Sequence, residues 1–393
     1  MKIALVTETF PPEVNGVAMT LQRLCREWIR RGFAVQVVHP RQPRETNAAA
    51  NTPWQALRVS GAPIPGYPEA RVGAWSQRLL KRAWSLQRPD YVHVATEGVL
   101  GWSALAAARS LDIPLVTSFH TNFHDYARHY GAAPLKPLVA RYLRSFHNRG
   151  RLCLVPDDAL RAELEQLGIR RTARMGRGVD TSLFDPARRD PALRREWGAE
   201  DGDPVFIHVS RVAAEKNIPL VIEAFRAVQS REPRARLIFV GDGPIRPRLE
   251  RTSPGVRFVG MRFDEDLARH YASADVFLFA SETETYGNVV MEALASGLAV
   301  LTYDYASARQ HIRDGINGRV VPKGDGRAFI AAAEAMLAER ESWAGLGVAG
   351  RETAQRLPWR KIVDDYLAEV RSALPLTGSS AVGLEMALEE DRA

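Results

Sequence analysis

Short, nearly unbroken apolar runs alternate with helical patterns along most of the chain. Candidate strands fall at residues 3–7, 34–39, 91–95, 115–118 and 152–155, and again at 205–209, 236–240, 256–259, 276–279, 299–302 and 319–321. Between them, apolar residues recur at three- and four-residue steps; over 17–31, Leu21, Leu24, Cys25 and Trp28 share one face. Apolar runs without alternation predict strands buried on both faces, and the strand–helix alternation predicts parallel sheets.

The pattern weakens between residues 176 and 203, where Gly, Pro and charged residues cluster in GRGVDTSLFDPARRD and GAEDGDP. This places a domain boundary and predicts an α/β protein of two doubly wound domains in tandem, 1–178 and 179–357. Each would present its ligand crevice at the carboxyl ends of its strands. After Leu357-Pro358, the residues Trp359, Ile362, Val363, Tyr366, Leu367, Val370 and Leu374 predict one more helix over 358–375. The remaining 376–393 reads as a flexible acidic tail. No internal repeat or long low-complexity tract interrupts this organisation.

Composition agrees with two globular domains: 393 residues, 46% hydrophobic and 25% charged. Two cysteines, Cys25 and Cys153, make no disulfide framework, so a reducing cytoplasmic setting is expected. No run approaches the roughly 18 apolar residues that would span a bilayer. The opening MKIALVTETF reads as a first strand rather than a signal peptide. Charge is uneven. Up to residue 178 there are 25 Lys+Arg against 13 Asp+Glu, and beyond it 28 against 33. A basic first half suits nucleic acid, anionic lipid or an anionic small substrate.

Candidate chemistry gathers where strands end. The first strand runs into TETFPPEVNGVAMTL, where Gly16 opens a helix and would let backbone approach an anion; an ordinary strand-to-helix turn reads the same way. The dinucleotide G-x-G-x-x-G does not follow this strand, and no P-loop occurs anywhere. His120 follows the strand at 115–118. His124 and His129 have no metal-ligand set around them. The segment PLKPLVARYLRSFHNRGR carries Lys136, Arg141, Arg144, Arg149 and Arg151 between apolar residues, which suits an interfacial helix or a solvated basic face. In the second half, Arg211 and Lys216 lie beyond a strand and before a helix starting near Asn217, an arrangement able to clamp a diphosphate. In ASETETYGNVVMEALASGLAV, Glu284 stands in a turn, Asn288 at a helix start and Glu292 inside that helix. A carboxylate beside a helix N-terminus suits sugar hydroxyls near a bound phosphate.

Taken together, NGV at 15–17, HTNF at 120–123, GRGVDTSLF at 176–184, SRVAAEK at 210–216, GDGP at 241–244 and the Glu284–Glu292 stretch resemble the GT-B glycosyltransferases of family 4, the retaining group that uses nucleotide sugars. The resemblance covers residues 1 to about 375. It implies two Rossmann-like domains flanking an interdomain cleft, with the last helix crossing back to the first domain. It also implies that Gly16, Arg211, Lys216 and Asn288 bind the donor diphosphate, that Glu284 holds the donor sugar and Glu292 the ribose, and that His120 lies at the sugar near the reacting carbon. Phe258, Val259 and Met261 would border the nucleobase, mostly through backbone. No metal or other cofactor is expected, and Asp264-Glu265-Asp266 reads as a helix start. One departure is Tyr286, where the family often has Phe.

Within the family, the motif combination looks most like the lipid-glycosylating branch: diacylglycerol glycosyltransferases, sulfolipid synthases and GDP-mannose-dependent mannosyltransferases. The expectation is a UDP-hexose or GDP-mannose donor, a lipid acceptor such as diacylglycerol, and peripheral contact with an anionic membrane from the cytoplasmic side. A soluble or polysaccharide acceptor, a nucleotide-sugar 2-epimerase and a noncatalytic nucleotide-sugar sensor are the rival readings. No aromatic-interleaved basic motif supports nucleic acid as a partner.

Overall fold

The computed structural model describes residues 1–13, 15–42, 52–64, 67–120, 136–376 and 379–389. The chain divides into two compact units, one of Met1–Arg177 with Trp359–Ala393 and one of Gly178–Pro358.

The first unit is built on β1 (Lys2–Val6), β2 (Ala34–Pro40), β3 (Gln55–Val59), a hairpin β4 (Gly61–Ile64) and β5 (Tyr67–Gly73), then β6 (Tyr91–Val94), β7 (Leu115–Ser118), β8 (Leu152–Val155) and β9 (Thr172–Arg174). Seven strands form one parallel sheet in the order β3-β2-β1-β6-β7-β8-β9, while β4 and β5 pair antiparallel apart from it. Its helices are α1 (Gly16–Arg30), α2 (Gln77–Leu86), α3 (Val99–Ser110), α4 (Lys136–His147) and α5 (Asp158–Gln166). Helix α1 starts where Asn15 accepts the amides of Val17 (3.0 Å) and Ala18 (2.8 Å), and it buries Leu21, Leu24, Cys25 and Trp28 against the sheet. Strand order reverses between β1 and β6, so the loops after these strands form the switch point of this unit.

The second unit repeats the plan with six parallel strands in the order β12-β11-β10-β13-β14-β15. They are β10 (Val205–Val209), β11 (Arg236–Val240), β12 (Val256–Gly260), β13 (Val276–Phe279), β14 (Ala299–Tyr303) and β15 (Arg319–Val321). Around them lie α6 (Pro191–Glu196), α7 (Ile218–Arg231), α8 (Arg246–Thr252), α9 (Asp264–Ala272), α10 (Asn288–Ala295), α11 (Ala306–His311), α12 (Gly326–Ala338) and α13 (Trp343–Gln355). Its switch point falls between β10 and β13. The acidic run Asp264-Glu265-Asp266 forms the first turn of α9, where carboxylates favour the helix dipole.

The chain then returns to the first unit as α14 (Trp359–Ala373) and α15 (Ser379–Glu389). Helix α14 buries Ile362, Val363, Tyr366, Leu367 and Val370 in the cluster that holds the apolar face of α1. Arg31 at the end of α1 donates to Asp364 (2.7 Å) and to the carbonyl of Arg360 (3.0 Å), which fixes the two helices side by side. Helix α15 corrects the expectation of a flexible tail. Leu384 and Ala387 are buried in the same cluster and Arg371 pairs with Glu385. Its apolar residues, Ala381, Val382, Leu384, Met386, Ala387 and Leu388, do not recur at one three- and four-residue spacing, so a single helical face was concealed in the sequence. Strands β3, β4, β5 and β9 were also unforeseen. β3 and β9 are edge strands of mixed polarity, and β4 and β5 lie outside the main sheet. Among the described residues, no helix is long and apolar enough to cross a membrane.

Because Leu384 is almost fully buried, Leu384→Ala should lower the stability of the first unit by about 2–3 kcal/mol. The check is a urea midpoint followed by tryptophan fluorescence; an unshifted midpoint would show that α15 adds nothing to the core.

Candidate functional site

In the first unit, functional groups stand just past the strand ends. Gly16 is the first, exposed residue of α1, and its carbonyl accepts from Thr20 Oγ1 (2.6 Å) and Arg177 Nη1 (3.3 Å). Arg177 is itself buried and also donates to Thr20 Oγ1 and, through Nη2, to Nδ1 of His120 (3.1 Å). A single guanidinium thus ties Gly16 to His120. His120 lies two residues past β7, 3% exposed, with Nε2 2.7 Å from Ser118 Oγ. Burial, then the charge of Arg177, holds its pKa well below the ordinary imidazole value. The ring is therefore neutral, and both nitrogens are engaged by the protein. The rest of the HTNF motif, with His124 and His129, lies outside the described residues, as does the side chain of Lys136.

The sequence reading overlooked Arg177, although it lies in the quoted GRGVDTSLF. It also overlooked Glu8, which follows β1 and accepts the Leu100 amide in the first turn of α3 (2.9 Å). Burial pushes this carboxyl up to about 7, against the pull of the backbone amides. A Cβ on Gly98 would stand 2.2 Å from its Oε1, so glycine is required for the carboxyl to reach the helix end. An isolated Glu after a strand gives no such signal in sequence.

In the second unit, the loop after β10 carries Arg211 and the short turn Ala214–Lys216, and the next helix opens at Asn217 with φ +49°. His208 supports this loop from inside the sheet. Its Nδ1 lies 2.8 Å from the carbonyl of Leu278 and its Nε2 2.7 Å from Ser210 Oγ. The loop after β11 lies directly upon the first. A Cβ on Gly241 would fall 1.9 Å from the carbonyl oxygen of Ser210, and one on Gly243 2.3 Å from that of Val212. Only glycines permit this approach, which explains the GDG of the motif.

The loop after β13 brings Glu284 to Lys216, with Nζ 2.5 Å from Oε1 and both side chains mostly buried. Arg211 pairs with Glu215, whose carboxyl is partly buried yet held below its usual range by that guanidinium. The backbone then turns at Gly287, φ +87°, into α10, whose N-cap supplies no side-chain bond. Asn288 begins this helix. Glu284 is further fixed by Tyr305, whose hydroxyl donates to its carbonyl (2.9 Å), and the turn by Ser307, which donates to the carbonyl of Gly287 (3.0 Å). Glu284, Tyr286, Gly287, Tyr305 and Ser307 line a small recess. Along α10, Val290, Ala293 and Leu294 are buried and Val289 is half-buried. Glu292, one turn into α10, accepts from Tyr271 (3.1 Å). Phe258 stacks on Phe239 at 4.9 Å and is half-buried, as is Val259; Met261, just past β12, is exposed. Tyr286 is buried, its hydroxyl 3.1 Å from His311 Nε2.

Burial lowers the pKa of His93 to about 3 and of His208 to about 4. Their folded values lie below the unfolded value, so the stability they contribute is complete above pH 6.5 and is lost as pH falls through that value. Each should cost about 2 kcal/mol between pH 7.5 and pH 5. Urea midpoints at the two pH values check this: in His208→Asn, which cannot titrate, the acid-induced loss should shrink by about 2 kcal/mol.

The chain matches two family profiles, Glycosyltransferase Family 4 over residues 14–183 and Glycosyl transferases group 1 over 203–339. It is 33% identical over 377 residues to a GDP-mannose-dependent alpha-mannosyltransferase of Mycobacterium tuberculosis, covering 93% of this chain and 95% of that protein. It is 29% identical to an alpha-monoglucosyldiacylglycerol synthase of Streptococcus pneumoniae, covering 77% and 71%. The fold matches the Anabaena protein HepE in complex with UDP, with TM-score 0.76 and 19% identity over 95% of this chain and all of that one. Two parallel Rossmann-like sheets, the Lys216–Glu284 pair at the start of α10 and these likenesses agree: the chain belongs to glycosyltransferase family 4, as a GT-B hexosyltransferase that uses nucleotide sugars.

Proposed function

We propose that the enzyme transfers a hexosyl group, with retention, from GDP-mannose or a UDP-hexose to a lipid acceptor of the diacylglycerol type at an anionic membrane surface. The observation that carries the donor half is Lys216 held against Glu284 beside the N-terminus of α10. A diphosphate at this helix end shares Lys216 with the carboxylate, takes the amides at Asn288, and draws on Arg211. Glu284 accepts hydroxyls of the adjoining sugar. Glu292 takes the ribose and the backbone of Phe258–Met261 borders the base; the family resemblance assigns Gly16 to the diphosphate and His120 to the donor sugar. As the bond from anomeric carbon to phosphate breaks, negative charge collects on the leaving diphosphate. Fixed cations and amides stabilise that charge more than the ground state. No divalent cation enters this scheme, so activity should survive EDTA.

The mannosyltransferase relative makes GDP-mannose the first donor to test, and the diacylglycerol-linked relative supports a lipid acceptor. A surface feature of the first unit agrees. Helix α4 exposes Leu138 and Tyr142 together with Arg141 and Arg144, and Arg149 lies over the ring of Trp102. Apolar and cationic side chains on one exposed segment suit the boundary of an anionic bilayer.

The test is mass spectrometry of lipids after incubation with diacylglycerol-containing anionic liposomes and, separately, GDP-mannose, UDP-glucose, UDP-glucuronate and UDP-galactose. One donor should yield a new glycolipid, and Glu284→Ala or Lys216→Ala should lower kcat/KM by about 10²–10³-fold. Donor consumption without glycolipid would move the acceptor to a soluble molecule or the reaction to epimerisation. Liposome binding should weaken with salt, and equal binding to neutral and anionic vesicles at low salt would remove the electrostatic part.

A further inference from the structure

Behind His120 the first unit holds a continuous run of side-chain hydrogen bonds that reaches helix α14. A guanidinium can only donate, so the contact from Arg177 Nη2 (3.1 Å) makes Nδ1 of His120 an acceptor. The proton of this neutral ring then sits on Nε2, 2.7 Å from Ser118 Oγ. Ser118 accepts it, and its oxygen also lies 2.7 Å from His93 Nε2, to which it can give its own single proton. In that arrangement His93 carries its proton on Nδ1, which lies 3.3 Å from the hydroxyl of Tyr366, itself 3.0 Å from that of Tyr91. His93, Tyr366 and Tyr91 are wholly buried, and Ser118 is 1% exposed. Tyr366 stacks on His93 at 5.6 Å, and Trp28 of α1 packs against both rings.

We infer that Ser118, His93 and Tyr366 are positioning residues of the transferase: with Arg177 they hold His120 as its Nε2–H tautomer in one orientation, so that a hydroxyl on α14 acts on the sugar-facing histidine without touching substrate. Because both ring nitrogens are committed, His120 presents its ring edge and backbone to the sugar rather than passing a proton. The inference rests on the reading that His120 meets the donor sugar. Its chemistry concerns the buried side of that residue.

The test combines kinetics with long-range proton–nitrogen spectra of the histidine rings in the full-length protein, assigned by single His→Asn variants at positions 93 and 120. In the wild type the two rings should show opposite tautomers, Nε2–H for His120 and Nδ1–H for His93. Tyr366→Phe keeps the stacked ring and removes only the hydroxyl. It should lower kcat about five- to tenfold with KM for the active donor, GDP-mannose or a UDP-hexose, unchanged, and convert His93 to a mixture of tautomers. Ser118→Ala should lower kcat in the same way, and Ser118→Thr, which returns a hydroxyl, should recover it. Two results would overturn the inference: a wild-type His120 with its proton on Nδ1, or Tyr366→Phe and Ser118→Ala enzymes with altered stability but kcat within twofold of wild type. Correct tautomers without transfer from any donor would instead refute the functional reading, and with it the catalytic meaning of the network.

Discussion

A strand buried on both faces of a parallel sheet has no solvent for a polar side chain, so such a group survives there only with every partner supplied by the protein. Nearly all chemistry is thereby displaced to the carboxyl ends of the strands. The few polar residues left inside, among them His93, Thr117, Ser118 and His208, become supports for what stands at those ends. His208 braces the loop of Arg211 and Lys216, and Ser118 with His93 braces His120. Both units obey this rule in their own way, which is why each concentrates its functional groups at a switch point.

Charge is arranged by the same constraint. Lys216 and Glu284 are mostly buried and come from loops 68 residues apart, so each limits the desolvation cost of the other. The pair also sits where the dipole of α10 favours an anion, so under the proposed function an incoming diphosphate would meet cations and amides already in place. Arg177 differs. Its buried guanidinium donates to a carbonyl, a hydroxyl and a neutral imidazole, and a group that can only donate makes each of these partners an acceptor.

The fold was legible because its signals are local. Continuous apolar runs marked β7, β8, β10, β11, β13 and β15 at their observed bounds, and the helical face of α1 was correctly named. The edge strands β3 and β9 of the first sheet escaped because polar and charged residues interrupt their apolar runs, QALRV and TAR, and α15 escaped because its apolar residues do not fall on one face. At the site, residue type and motif spacing indicated Lys216, Glu284, Asn288 and Glu292. They gave no hint that Lys216 and Glu284 bond to each other, that Glu8 reaches the end of α3, or that Arg177 rather than solvent occupies His120 Nδ1.

The sequence by itself determined the alternation of buried strands and amphipathic helices, the uneven charge and the set of residue types able to hold a sugar nucleotide, because each is written within a few neighbouring positions. Tertiary structure alone decided which of those groups meet. The partners of His120 come from β7 and from the segment entering the second unit, and the wider network draws in β6 and α14, more than two hundred residues away. Such contacts are fixed by burial and hydrogen-bond geometry in three dimensions, where a donor finds an acceptor only after both have been removed from water.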